Sequence, residues 1–213
     1  MTRPLFLISA AAAGLVLARP ALAQHIQGTI GVQRLTFSLN DNGVAGQQTG
    51  TMLGGSLGLD LGVLRLGLAG QTGQLAGDSL TAFDLRMTTI NAGLQATPWL
   101  EIGAQAVARR EAVDTTIILQ RLGGAYTRVT ADLGGTFQGL LNVAFYPVNS
   151  VTGVDPVKTA LSAGVGVRYA PNGGPVMVQM SYRIFRIDHQ ALTTTAPRLE
   201  QDQGLILELG LRH

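Results

Sequence analysis

The stretch Gly204-Leu205-Ile206-Leu207-Glu208-Leu209-Gly210-Leu211-Arg212-His213 puts Leu205, Leu207, Leu209 and Leu211 on one parity and Ile206, Glu208, Gly210 and Arg212 on the other. Residues two apart share a face of a β-strand, so this segment reads as a strand with a leucine face and a charged face. One such strand fits any half-buried sheet. Here about ten comparable segments recur, with Arg and Asp opposite the apolar set and little helical periodicity between them. Apolar outside and polar inside is the pattern of a transmembrane β-barrel.

The amino terminus reads as a secretory signal. Arg3 supplies the positive region, Leu5 to Ala18 a short apolar run, and Ala21-Leu22-Ala23 a small-residue cleavage site before Gln24. A membrane-spanning helix needs about 20 apolar residues, and Arg19-Pro20 ends this run sooner. The expected division is a cleaved signal over residues 1–23 and a single barrel domain over residues 24–213. Removing 23 of 213 residues also removes Arg3 and Arg19, which leaves 13 basic against 13 acidic residues. A neutral chain of this kind has no nucleic-acid surface. With no Cys, it has no disulfide, no thiolate metal site and no lipid-modified Cys. Beyond the signal no segment approaches about 18 consecutive apolar residues, which excludes a helical inner-membrane protein.

Ten strands are expected, beginning near Ile26, Thr51, Leu64, Thr81, Trp99, Leu122, Thr136, Leu161, Val176 and Gly204. In two of them the apolar set changes parity. The first goes from Ile26, Ile30 and Val32 to Leu35, Phe37 and Leu39, and the fourth from Phe83, Leu85 and Met87 to Ile90, Ala92 and Leu94. A β-bulge near Gln33-Arg34 and another near Thr88-Thr89 would keep each set on one face. The connections read as alternately long (40–49, 74–80, 111–120, 149–157, 189–200) and short, and Ile117-Ile118-Leu119 reads best as the upper part of the sixth strand. Eight strands remain possible if the sixth and seventh merge or lie in loops.

Over essentially the whole mature length the chain resembles the small bacterial outer-membrane β-barrel proteins, through the signal, the alternating strands and the GLILELGLRH ending. The resemblance implies an all-β, antiparallel up-and-down barrel in outer-membrane lipid, inserted by the barrel assembly machinery. That machinery usually reads a terminal strand ending in an aromatic residue, and this chain ends in Arg212-His213.

On the expected inward faces stand Arg34, Arg65, Arg86, Arg109, Arg128, Arg168, Arg183 and Arg212, with Asp60, Asp84, Glu101, Asp132 and Glu208. Arginine facing lipid costs about 2–4 kcal/mol near the midplane, so an inward charge network is the expected arrangement. Arg forks paired with carboxylates would plug a narrow lumen. The expected function is therefore a structural or surface-binding membrane protein, without cofactor and not an enzyme, whose surface ligand is unspecified. The alternative is a narrow, anion-leaning pore, given the arginine excess. A protease like the ten-stranded outer-membrane proteases would need Asp188-His189 at the rim, but adjacent strand residues point to opposite faces, and Asp78 and Asp84 are ordinary rim residues. His25 and His213 read as terminal and solvated. Gly164-Val165-Gly166 has no following helix and is no nucleotide loop.

Overall fold

The computed structural model describes residues 25–41, 44–77, 81–154, 156–171, 174–190 and 198–212. The segment read as a signal, together with Asp78, Thr193 to Thr195 and His213, lies outside the described residues. In chain order the strands are β1 (His25–Asp41), β2 (Val44–Leu61), β3 (Leu64–Ala76), β4 (Phe83–Thr97), β5 (Leu100–Val113), β6 (Thr116–Asp132), β7 (Phe137–Thr152), β8 (Val157–Tyr169), β9 (Val176–His189) and β10 (Leu199–Arg212). Each pairs antiparallel with its chain neighbours, and β1 also pairs with β10, closing a ten-stranded up-and-down barrel. Closure matters in lipid, because an open edge would leave backbone N–H and C=O groups with no partner. The sixth and seventh strands are separate, which settles ten against eight.

The strands run 13 to 18 residues, more than the roughly 9–11 that a tilted strand needs to cross a bilayer. The extra length comes from segments expected to be loops. The connections expected at 40–49 and 111–120 shrink to two residues each, 42–43 and Asp114-Thr115, the latter with Asp114 at a φ of 49°. Those at 74–80 and 149–157 shorten too, leaving 190–198 as the longest. Ile117, Ile118 and Leu119 do lie in β6. Gly62, at a φ of 74°, turns β2 into β3 as a tight hairpin.

Both expected bulges are absent. Register is unbroken through Gln33-Arg34 in both pairings of β1, and through Thr88-Thr89 in both pairings of β4. The observed register shifts lie instead at Gln95/Thr97, Gly123/Ala125 and Val157/Thr159. The change of parity is real, however, and its cause is a change of environment. In β1, Ile30 and Val32 point outward and are 70% and 40% exposed, whereas Leu35 and Phe37 point into the lumen at 0% and 2%. In β4, Ile90 and Leu94 face outward while Leu85 and Met87 are buried inside.

The barrel thus has two tiers. Nearer the chain termini, apolar side chains face out and polar ones face in. At the far end, outward positions turn polar (Thr36, Ser38, Gln74) and the lumen fills with an apolar core that includes Leu35, Phe37, Leu75, Phe83, Leu85 and Ile187. Phe37 meets Phe83, and Tyr146 meets Phe185, edge to face at 5.2 and 5.7 Å between ring centroids.

Where the tiers meet, the lumen has no spare room around Tyr126. A methyl group on Gly93 would overlap the Tyr126 hydroxyl and crowd the Glu101 carboxylate, so a side chain there must displace both. Gly93→Ala is expected to lower the unfolding free energy in urea, measured in lipid vesicles, by about 1–3 kcal/mol. In a Tyr126→Ala background the same change is expected to lose most of its effect; strictly additive losses would show that the two side chains do not compete for that space.

Candidate functional site

The lumen divides into a vestibule at the terminal end and a far end filled by the apolar core. The vestibule has a volume of about 990 Å³. Arg65, Arg128, Arg168, Arg183 and Arg212 line it with Asp60 and Glu208, and Glu101 stands just behind. Glu101 is 2% exposed and accepts from the Tyr126 hydroxyl, from Arg65 Nη1 at 3.2 Å and from Arg128 Nη1 at 3.3 Å. Arg65 Nε also lies 3.3 Å from Asp60 Oδ1. Across the lumen, Arg168 Nε and Nη2 donate to Gln179 Oε1 at 3.1 and 2.9 Å, and Gln179 Nε2 donates to Glu208 Oε2 at 2.9 Å. The Thr29 hydroxyl donates to the other oxygen of Glu208, and Arg183 Nη2 donates to Gln33 Oε1 at 3.3 Å. Two of the five arginines therefore rest on glutamine oxygens rather than carboxylates. The vestibule holds more positive than negative charge and can attract an anion.

Beside the apolar core sits a second ionic group, with Glu111 opposite Leu85, Asp202 opposite Phe37 and Glu200 opposite Ile187 in the register. Arg109, 1% exposed, pairs with Glu111, with Glu200 Oε2 at 2.6 Å and with Asp202 Oδ1 at 3.3 Å, and donates to Gln120 Oε1 at 3.0 Å. Its guanidinium also lies over the Phe37 ring, 5.5 Å from the centroid. Glu200 is the hub of the remaining contacts: Gln120 donates to it at 3.1 Å, Arg198 Nε at 2.8 Å, and His189 Nε2 lies 3.0 Å away. These contacts tie β5, β6, β9 and β10 together across the far opening. Three buried carboxylates around one arginine hold together only because every partner is in place.

Residues 8–210 match the outer membrane protein beta-barrel domain. The chain belongs to that family. Membership places this outer-membrane barrel in the bacterial outer membrane, and solved structures of such proteins resemble it. It is 12% identical to the outer membrane protease OmpT of Escherichia coli, with 90% of this chain and 97% of that one covered at a TM-score of 0.48. It is 15% identical to neisserial surface protein A, covering 86% and 96% at 0.41, and 11% identical to Ail, the attachment invasion locus protein of Yersinia pestis, covering 88% and 98% at 0.36. These likenesses concern the fold. No curated protein matches the sequence.

Of the thirteen residues expected in one lumen network, the barrel divides ten and excludes three. Arg34, Asp84 and Arg86 lie on the outer face, because the absent bulges leave their parity outward. Asp60, Arg65, Glu101, Arg128, Arg168, Arg183, Glu208 and Arg212 belong to the vestibule region. Asp132 is at the terminal rim, where it accepts from the Gly134 N–H at 2.8 Å. Arg109 alone is in the far cluster, and its partners Glu111, Gln120, His189, Glu200 and Asp202 were missed as site residues. All five lie in segments read as loops or strand ends. The signal that locates them is the continued alternation of buried positions, with Glu111 and Val113 inward in β5 and Glu200 and Asp202 inward in β10.

Asp188 and His189 do face opposite ways: Asp188 binds Arg186 outside at 3.0 Å, and His189 is buried against Glu200. At 1% exposure the His189 ring offers no approach to a substrate in this conformation.

Removing the central cation is expected to be far worse than removing one anion. Arg109→Met should destabilise the barrel by about 3–5 kcal/mol, because it leaves Glu111 and Asp202 buried without their cation, while Glu200 keeps Arg198. Glu111→Gln should lose less than half of that, since Arg109 keeps Glu200 and Asp202. Equal losses in urea titrations of the refolded variants would contradict this account of the cluster.

Proposed function

We propose that this protein is a non-conducting outer-membrane barrel, a structural element whose far tier stands above the lipid as a rigid base for contacts at the cell surface. The observation that carries the reading is the filled far lumen, where the apolar core and the Arg109 cluster share the bore side by side. In the proposed orientation both termini face the periplasm, as ten strands permit. Trp99, Phe137 and Tyr169 are exposed on the terminal side, with the last two 5.2 Å apart, which suits an interfacial girdle. Export by residues 1–23, and insertion by the barrel assembly machinery acting on β10, belong to the same proposal. Peptide cleavage does not, since His189 is enclosed.

The second reading is an anion-leaning pore, favoured by the arginine-rich vestibule. It requires the far seal to move. In planar bilayers the refolded chain is expected to show no stable unitary conductance, whereas a Leu35→Ala, Phe37→Ala, Phe185→Ala variant should show brief, anion-preferring openings. A steady conductance in the unaltered protein, reduced by Arg168→Gln, would replace the first reading with the second.

A further inference from the structure

Among the described residues, cations on the outer surface lie on one side of the lipid belt only. Arg34, Arg110, Arg121 and Arg186 each occupy the first outward position beyond an apolar or small residue of the belt, namely Val32, Ala108, Gly123 and Ile184. Arg86 occupies the second beyond Ile90. At the terminal edge no outward Lys or Arg occurs among the described residues, since Arg212 lines the vestibule. The two edges of the belt therefore meet chemically different surroundings.

Three of these arginines form a patch. Arg86 stands directly opposite Arg110 in the β4–β5 register. Arg121, opposite Ala108 in the β5–β6 register, is the diagonal neighbour of Arg110. Side chains directly opposite have Cβ atoms about 4.5–5.5 Å apart, and like charges so placed repel. No hydrogen bond or ion pair joins any of the three to another described residue. Asp84, the next outward residue on β4, is the nearest carboxylate by register and bonds to none of them. The other two outward arginines differ: Arg186 holds Asp188 at 3.0 Å, and Arg34 donates to the Thr49 hydroxyl at 3.3 Å. Immediately below the patch, on the lipid side, the outward residues are small. Ala106 faces Gly123 and Ala104 faces Ala125, flanked by Ile90 on β4 and Phe145 on β7. This is a shallow apolar trough leading to three unneutralised guanidinium groups.

We propose that Arg86, Arg110 and Arg121 bind the phosphate group of a phosphorylated outer-leaflet lipid, with an acyl chain of that lipid lying along the trough. Guanidinium forks match phosphate oxygens in pairs, and one phosphate among the three cations removes their mutual repulsion. The position favours lipid over a soluble anion, because the patch lies at the edge of the apolar belt, where head groups begin. The inference shares the outward orientation of the far tier with the proposed function. It is independent of whether the lumen conducts, so a steady conductance in the unaltered protein leaves it standing, and loss of lipid retention leaves the filled lumen standing.

The test uses the full chain refolded in zwitterionic detergent and native mass spectrometry with three probes: lipid A carrying two phosphates, the same lipid dephosphorylated, and inorganic phosphate. The unaltered protein is expected to retain one phosphorylated lipid A and to bind the dephosphorylated lipid at least about tenfold more weakly. Arg86→Gln, Arg110→Gln, Arg121→Gln together should weaken retention by a similar factor. Arg34→Gln, Arg186→Gln should leave it unchanged, with heat-modifiable migration confirming that both variants are folded. Equal binding of the two lipids, undiminished binding by the triple variant, or no retention by the unaltered protein would each overturn the proposal. Displacement by inorganic phosphate at concentrations near those of the lipid would overturn lipid as the occupant.

Discussion

Hydrocarbon accepts no unpaired polar group, and every other feature of this barrel follows from how far that constraint reaches along each strand. Where lipid surrounds the sheet, the outward parity must be apolar and the polar side chains must turn inward. The strands continue past that zone. Once water surrounds the sheet the requirement reverses, and the apolar residues belong inside. A continuous strand cannot rotate its side chains halfway along, so the sequence itself exchanges the faces. Val32 is the last apolar outward residue of its run in β1, and Leu35 is the first fully buried inward one.

That exchange gives the molecule its two compartments. The terminal-end lumen must accept what lipid rejects, and it becomes a charged vestibule. The far-end lumen collects apolar side chains like the core of a soluble β-barrel. The Arg109 cluster lies against this core, where desolvation makes each missing partner expensive and each present one restrictive. Its contacts span four strands, so it fixes the far rim more firmly than turns of two to nine residues could alone. The outer surface carries the mirror image of the same boundary: just beyond the belt, where polar outward residues become admissible, the arginines begin.

Much of this architecture was legible in the residues. Alternation in the leucine strand and its relatives implied the barrel, its ten strands and the outward set of every terminal-side segment. The charge segregation of Arg65, Glu101, Arg128 and Glu208 was legible for the same reason, because lipid leaves such residues one face only. The far tier departs from the sequence expectation at one point, the premise that a strand keeps its apolar face outward along its whole length. On that premise Leu35 and Phe37 demand a bulge, Arg34, Asp84 and Arg86 fall in the lumen, and 111–120 and 189–200 read as loops. Spacing alone does not separate a bulge from a change of surroundings, since both shift parity by one residue. Pairing to two neighbouring strands does, because a bulge breaks register and an exchange of environment does not.

The chain has no Cys, so single-cysteine nitroxide labels along β1 can measure the exchange directly in refolded vesicles. Accessibility to lipid-dissolved oxygen and to a water-soluble nickel chelate would be compared at positions 30 to 38. Two tiers predict oxygen access at Ile30 and Val32, chelate access at Arg34, Thr36 and Ser38, and little of either at Leu35 and Phe37. Oxygen access at Leu35 and Phe37 would restore the bulge, return those side chains to lipid and contradict the sealed far lumen.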